Sequence, residues 1–151
     1  MDMTNKPDAP QGLALLVCDT ILEDRHTGKK SLIGLFDGLH AAQFPCVHPV
    51  MHVVVELSNI TGKKNCRLVC RHGDGDAVAF DAKGEVDCPD TSRVVQLAFG
   101  FRGVKFEKPG VWWISIYVND EQVMTRPLAI LTLPKQQPAP AAAEAPAAAP
   151  A

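Results

Sequence analysis

The chain lacks most of the features that announce a function. Its longest apolar run is the six residues 13–18, far short of the ~20 that a membrane helix needs, so no membrane span is expected. It lacks a basic excess: 15 Lys and Arg stand against 17 Asp and Glu, a formal charge of −2. Proteins that hold a phosphate backbone carry clustered positive charge, so nucleic acid is not an expected partner. The first residues, 1–11, hold two aspartates and no apolar stretch, unlike the basic start and apolar segment of a secretory leader. The expected location is therefore cytoplasmic, and the five cysteines, an odd number, are expected to stay free of structural disulfides in a reducing compartment.

Catalytic signatures are missing as well. None of the serines Ser31, Ser58, Ser92 and Ser115 lies in a Gly-x-Ser-x-Gly elbow, and no cysteine has an assignable histidine partner. The segment Gly73-Asp74-Gly75 places an acid where a phosphate would require bare amides. The expectation is a protein that is not an enzyme and needs no cofactor.

What is present is uneven. Residues 134–151 hold nine alanines and five of the 12 prolines; proline at that density favours extended polyproline II and alanine offers too little surface for a core. The chain divides into a flexible polar leader at 1–11, one domain at 12–133 and a disordered Ala/Pro-rich tail at 134–151. A body of about 120 residues is enough to bury roughly two thirds of its unfolded surface around one core.

Within that body the apolar period is two. Val95, Leu97, Phe99 and Phe101 alternate with Gln96, Ala98 and Gly100, which reads as a central core strand. Trp112, Ile114, Ile116 and Val118 form a second inner row, while Trp113, Ser115 and Tyr117 face outward. Met51, Val53, Val55 and Leu57 form a third, and Cys66, Leu68 and Cys70 a fourth. Turn residues punctuate these runs at 59–65, 72–76, 87–92, 108–110 and 119–122. The apolar parity flips between Phe101 and Val104, predicting a bulge or bend near Gly100 and Gly103. Pro127 removes a ladder donor and marks the strand at 122–133 as an edge or as two pieces. The expected fold is all-β, an immunoglobulin-like antiparallel β-sandwich of about seven to nine strands.

The residues also carry a resemblance. Cys18-Asp19, Asp24, the run Thr27-Gly-Lys-Lys-Ser-Leu-Ile-Gly-Leu-Phe-Asp37, Phe44-Pro45 and the closing Pro109-Gly-Val-Trp-Trp-Ile-Ser-Ile-Tyr-Val-Asn-Asp120 resemble an uncharacterised bacterial family of small β-sandwich proteins over about residues 12–132. The resemblance implies fold and bacterial origin and transfers no catalytic residue. Gly28 and Gly34 permit close or positive-φ backbone there, and Asp19 and Asp37 suit turn caps.

Two groups of residues are candidates for a site. Cys46 with His48, and Cys70 with His72, have a spacing that could supply metal-ligand pairs. Cys66 and Cys70 cannot share an ion, because a strand separates them by roughly 13 Å. Buried thiols and surface histidines account for the same pattern, so no metal is expected. The stronger candidates are Trp113 and Tyr117, flat aromatics on an outward sheet face that suit the anchoring of a protein partner. The expected function is a cytoplasmic interaction module binding a protein partner or its own copy through that face or the 122–133 edge. The rival expectation is a small-ligand, carbohydrate or metal-binding domain with its site in the end loops 23–30, 43–49 and 72–76.

Overall fold

The structure is a computed structural model, and it describes residues 9–134. The greater part of the expected leader (1–8) and of the expected disordered tail (135–151) lies outside the described residues. Nine strands follow one another: β1 Gln11–Glu23, β2 Lys30–Leu35, β3 Gly38–Ala41, β4 Cys46–Ser58, β5 Gly62–His72, β6 Val78–Cys88, β7 Val95–Phe106, β8 Gly110–Val118 and β9 Glu121–Thr132. They form a four-stranded sheet, β2-β1-β4-β7, and a five-stranded sheet, β3-β9-β8-β5-β6. The fold is an all-β sandwich with no helix among the described residues, hence none long and apolar enough to cross a membrane.

The core sits where the inner rows of the two sheets meet. Val17 pairs with Val53 and Leu15 with Val55 on one sheet, and Leu68 pairs with Ile116 and Cys70 with Ile114 on the other. Trp112 is fully buried among them. It packs edge-on against Phe106 at 5.2 Å and donates its indole N–H to Lys108 O at 3.1 Å, so its one polar atom is satisfied. Phe80 stacks on Phe101 at 4.1 Å and closes the side where β6 meets β7. The β8–β9 hairpin has a two-residue turn, Asn119 and Asp120, with φ of 48° and 70°, the conformation whose twist matches the flanking strands. The Asn119 side chain also accepts the Asn65 amide at 2.9 Å.

Four sequence expectations are corrected. The stretch 95–101 is not a central strand: β7 is an edge of the four-stranded sheet, and its apolar row is only half-buried because one neighbour, β4, lies beside it. The 122–133 strand is not a free edge along its length. β3 runs alongside residues Ala129–Thr132, and over the earlier half Arg126 donates from Nη1 to Leu15 O at 2.9 Å, tying β9 to β1. The sandwich is not wholly antiparallel, since β3 pairs in parallel with β9. The chain switches sheets in the two residues between β2 and β3, so β3 enters as a new edge strand and not as the return of a hairpin. The first strand begins at Gln11, which pairs with Ser58, one residue inside the expected leader.

The parity flip in β7 is present, with Gly103 at φ 63°, but no bulge accompanies it: the β4–β7 register runs unshifted from Cys46 opposite Phe106 to Leu57 opposite Val95. Its partner β4 flips with it: Met51 is buried and Val50 exposed, whereas beyond Pro49 it is Val47 that is exposed and His48 that turns inward.

Candidate interaction surfaces

The outer row of β8 is positioned by its register. Trp113 lies between Arg71 on β5 and Pro127 on β9; Ser115 lies between Val69 and Thr125; Tyr117 lies between Arg67 and Gln122. Trp113 is 41 % exposed and Tyr117 is half-buried. Between them Ser115 and Val69 are buried by the larger side chains around them, and Ser115 Oγ is bonded to Thr125 Oγ1 at 2.9 Å. The result is a groove of about 200 Å³ with aromatic walls, a small floor and Arg71 along one side. Beyond Trp113 the same sheet face continues as a hollow of about 400 Å³ over Val111, Pro127, Ala129 and Leu131.

The β5–β6 turn forms the end wall. Gly73 N donates to Val111 O at 2.9 Å; a Cβ at Gly73 would lie 3.1 Å from that same oxygen, so glycine permits the turn to lean on β8. Asp74 is held by the Lys108 ammonium and by the Asp76 amide, and these contacts bring its carboxyl down to about 2. His72 bridges Pro109 O at 3.0 Å and the Asp74 amide at 3.1 Å.

The charges in the groove are unequal. Arg67 grips Asp81 through two bonds of 2.9 and 2.6 Å, and that guanidinium holds the Asp81 carboxyl below its ordinary value. Arg71 makes no hydrogen bond among the described residues; it acts on Asp81 through charge, and that carboxylate is already clamped by Arg67. Lys83 acts on the same Asp81 from β6. Arg67, Lys83 and Arg71 thus all act on Asp81, and Asp120 acts on Arg67 as well.

The metal candidates do not come together. Cys46 and His48 belong to β4, Cys70 and His72 to β5, on different sheets. His48 packs against Phe36 at 5.6 Å, and its Nε2 lies 3.9 Å from Asp19 Oδ1. Cys70 is fully buried, and desolvation pushes its thiol up to about 12, the opposite of what a thiolate ligand needs. Among the described residues no three His, Cys, Asp or Glu side chains converge on a metal position. In the end loops, Asp24 Oδ1 accepts the amides of His26 and Thr27 at 2.8 and 2.9 Å, which gives it a turn-capping role. Gly34, with φ 75°, sits so close to Asp19 that a Cβ would lie 2.6 Å from its Oδ2.

A second surface escaped the sequence reading. On the outer face of the four-stranded sheet, Leu22, Ile33 and Leu35 are 52, 48 and 60 % exposed. They lie on β1 and β2 beside Thr20 and Cys18. Across β4 and β7 the face continues as His52 beside Gly100 and Val54 beside Ala98. Over residues 50–57 of β4 and the paired 95–102 of β7, the only charged residues on this face are Arg102, opposite Val50, and Glu56, opposite Gln96. The signal was available in Leu32-Ile33-Gly34-Leu35-Phe36, which is apolar at both parities and so cannot hide both faces of one strand.

The beta-D-glucoside glucohydrolase of Trichoderma reesei is similar in structure at a TM-score of 0.44 and 17 % identity, with 82 % of this chain and 19 % of that chain covered. A beta-glucosidase from Listeria innocua, solved with isofagomine, is similar at 0.41 and 13 %, with 78 % and 16 % covered. The chain thus spans less than a fifth of either enzyme. No curated protein matches the sequence. Residues 13–131, nearly the whole sandwich, match a described family, and the chain belongs to it: the Family of unknown function (DUF6941).

Proposed function

We propose that this domain is a non-enzymatic protein-interaction module whose β8 groove takes an extended, acidic and apolar segment of another protein. The observation that carries the reading is the exposed Trp113, set beside an Arg71 guanidinium without a hydrogen-bond partner among the described residues. An aromatic wall supplies large contact area at little entropic cost, and an unengaged guanidinium favours a carboxylate. The hollow over Val111, Pro127, Ala129 and Leu131 prolongs the groove along the sheet, which suits a strand-like segment better than a compact ligand. A cytoplasmic location accords with five unpaired thiols, four of them buried.

The test is an array of peptides that combine Asp or Glu with Leu or Phe, read against the same peptides carrying Lys in place of the acids. The full chain is expected to retain acidic members and release the basic ones. Trp113→Ser is expected to cost about tenfold or more in affinity, as anchors at the centre of an interface do, and Arg71→Glu to reverse the charge preference. Equal binding of acidic and basic peptides, or binding unchanged by both substitutions, contradicts the proposal.

A further inference from the structure

The outer face of the four-stranded sheet has an asymmetry that fits a second copy of this chain. Along β4 the outward positions run Val50, His52, Val54, Glu56, and opposite them on β7 run Arg102, Gly100, Ala98 and Gln96. Arg102 is exposed, and Glu56 is half-buried and accepts a bond of 2.9 Å from Gln96 Nε2. At ~3.3 Å per residue the cation and the anion stand roughly 20 Å apart along the strands. Between them Ala98 carries only a methyl, and the His52 ring lies over Gly100, where a Cβ would meet it at 3.2 Å. Beside these residues β1 and β2 carry Leu16, Ile33 and Leu35, with exposed Leu13 at the far end of β1.

We propose that two copies of this chain pack these faces together about a two-fold axis that lies across the strands at the level of Val53 and Val54. Such an axis reverses strand direction while keeping each strand over its own counterpart. It sets Arg102 over the partner's Gln96, one strand spacing from the partner's Glu56 and within reach of its carboxylate, and the symmetric contact forms as well, so the charge pair is made twice. It also brings the Ile33 and Leu35 end of the strip, on β2, beside the partner's Leu16 on the adjacent β1. Like charges do not meet, which is the condition an isologous interface has to satisfy. With only a methyl at Ala98, the two sheets approach to the ~10 Å usual for stacked sheets. This surface lies on the opposite side of the sandwich from Trp113 and Tyr117, so the pairing leaves the groove open.

Sedimentation equilibrium on the full chain tests the arrangement. A dimer is expected at about 100 µM or below. Arg102→Glu and Glu56→Arg are each expected to weaken it about tenfold or more, since each removes an interaction made twice. The chain with both substitutions is expected to recover, because the swapped charges meet again with opposite sign. Leu35→Asp is expected to give a monomer whose thermal unfolding matches the parent. A monomeric parent chain, a dimer indifferent to Leu35→Asp, or a double variant no stronger than the single ones would overturn the proposal.

Discussion

Two adjacent tryptophans have opposite fates. Trp112 is fully buried, with its N–H on Lys108 O and its ring against Phe106 and His72; Trp113 stands on the outer face. Trp112→Ala is expected to cost about 3–5 kcal/mol in urea unfolding, and Trp113→Ala less than about 1 kcal/mol. A larger loss for Trp113→Ala than for Trp112→Ala would show that the strand is turned the other way. The thiols give a pH prediction. Burial raises Cys18, Cys46 and Cys66 above the ordinary 9.0, and raises Cys70 to about 12. A group with a raised folded value stabilises the fold below the unfolded value, and that contribution is lost as pH climbs toward the folded one. Stability is therefore expected to fall above pH 9, by about 1 kcal/mol at pH 10 for Cys70 alone. Cys70→Val is expected to flatten this decline, and an equal slope in both proteins would refute the assignment.

At the scale of elements, legibility followed the purity of each strand's alternation. β8 was readable because its even positions are large and apolar and its odd positions mixed, so orientation and the candidate site at Trp113 and Tyr117 came together. β6 offered less signal, since its inner row includes Ala82 and Gly84; Gly84 faces Phe99 at 3.9 Å from the place a Cβ would take. β3 is four residues long, too short to show a period. The position of β7 at an edge depends on which strands pair, which alternation does not encode. Arg71 was not recognised as a wall of the groove for the same reason: its place beside Trp113 is a matter of cross-strand register. The β5–β6 turn carries its own test. Lys108 and the Asp76 amide lower Asp74 to about 2 from 3.8, and a lowered carboxyl stabilises the fold above its unfolded value and ceases to do so as pH falls through the folded one. Lys108→Met is thus expected to lower the thermal midpoint at neutral pH and to have a vanishing effect as pH approaches 2. A difference that persists undiminished in acid would mean that Lys108 acts through packing and not through its charge.

For the whole molecule, the sandwich presents two unlike faces. The five-stranded sheet carries aromatic rings and the Arg71 guanidinium along a shallow groove, and the four-stranded sheet carries exposed Leu and Ile on its outer face. Most outward sheet faces are polar, and contiguous apolar area on a surface marks a place where something else packs. The buried thiols and the turn-capping aspartates are accounted for by the fold itself, and the two faces are where the proposed contacts lie. The most direct measurement is an NMR titration that follows the two indole N–H signals while an acidic peptide containing Leu or Phe is added. The Trp113 signal is expected to move saturably, and the Trp112 signal, held on Lys108 O inside the core, to stay in place. A Trp113 signal that stays in place while resonances of the end loops respond would contradict binding in the β8 groove.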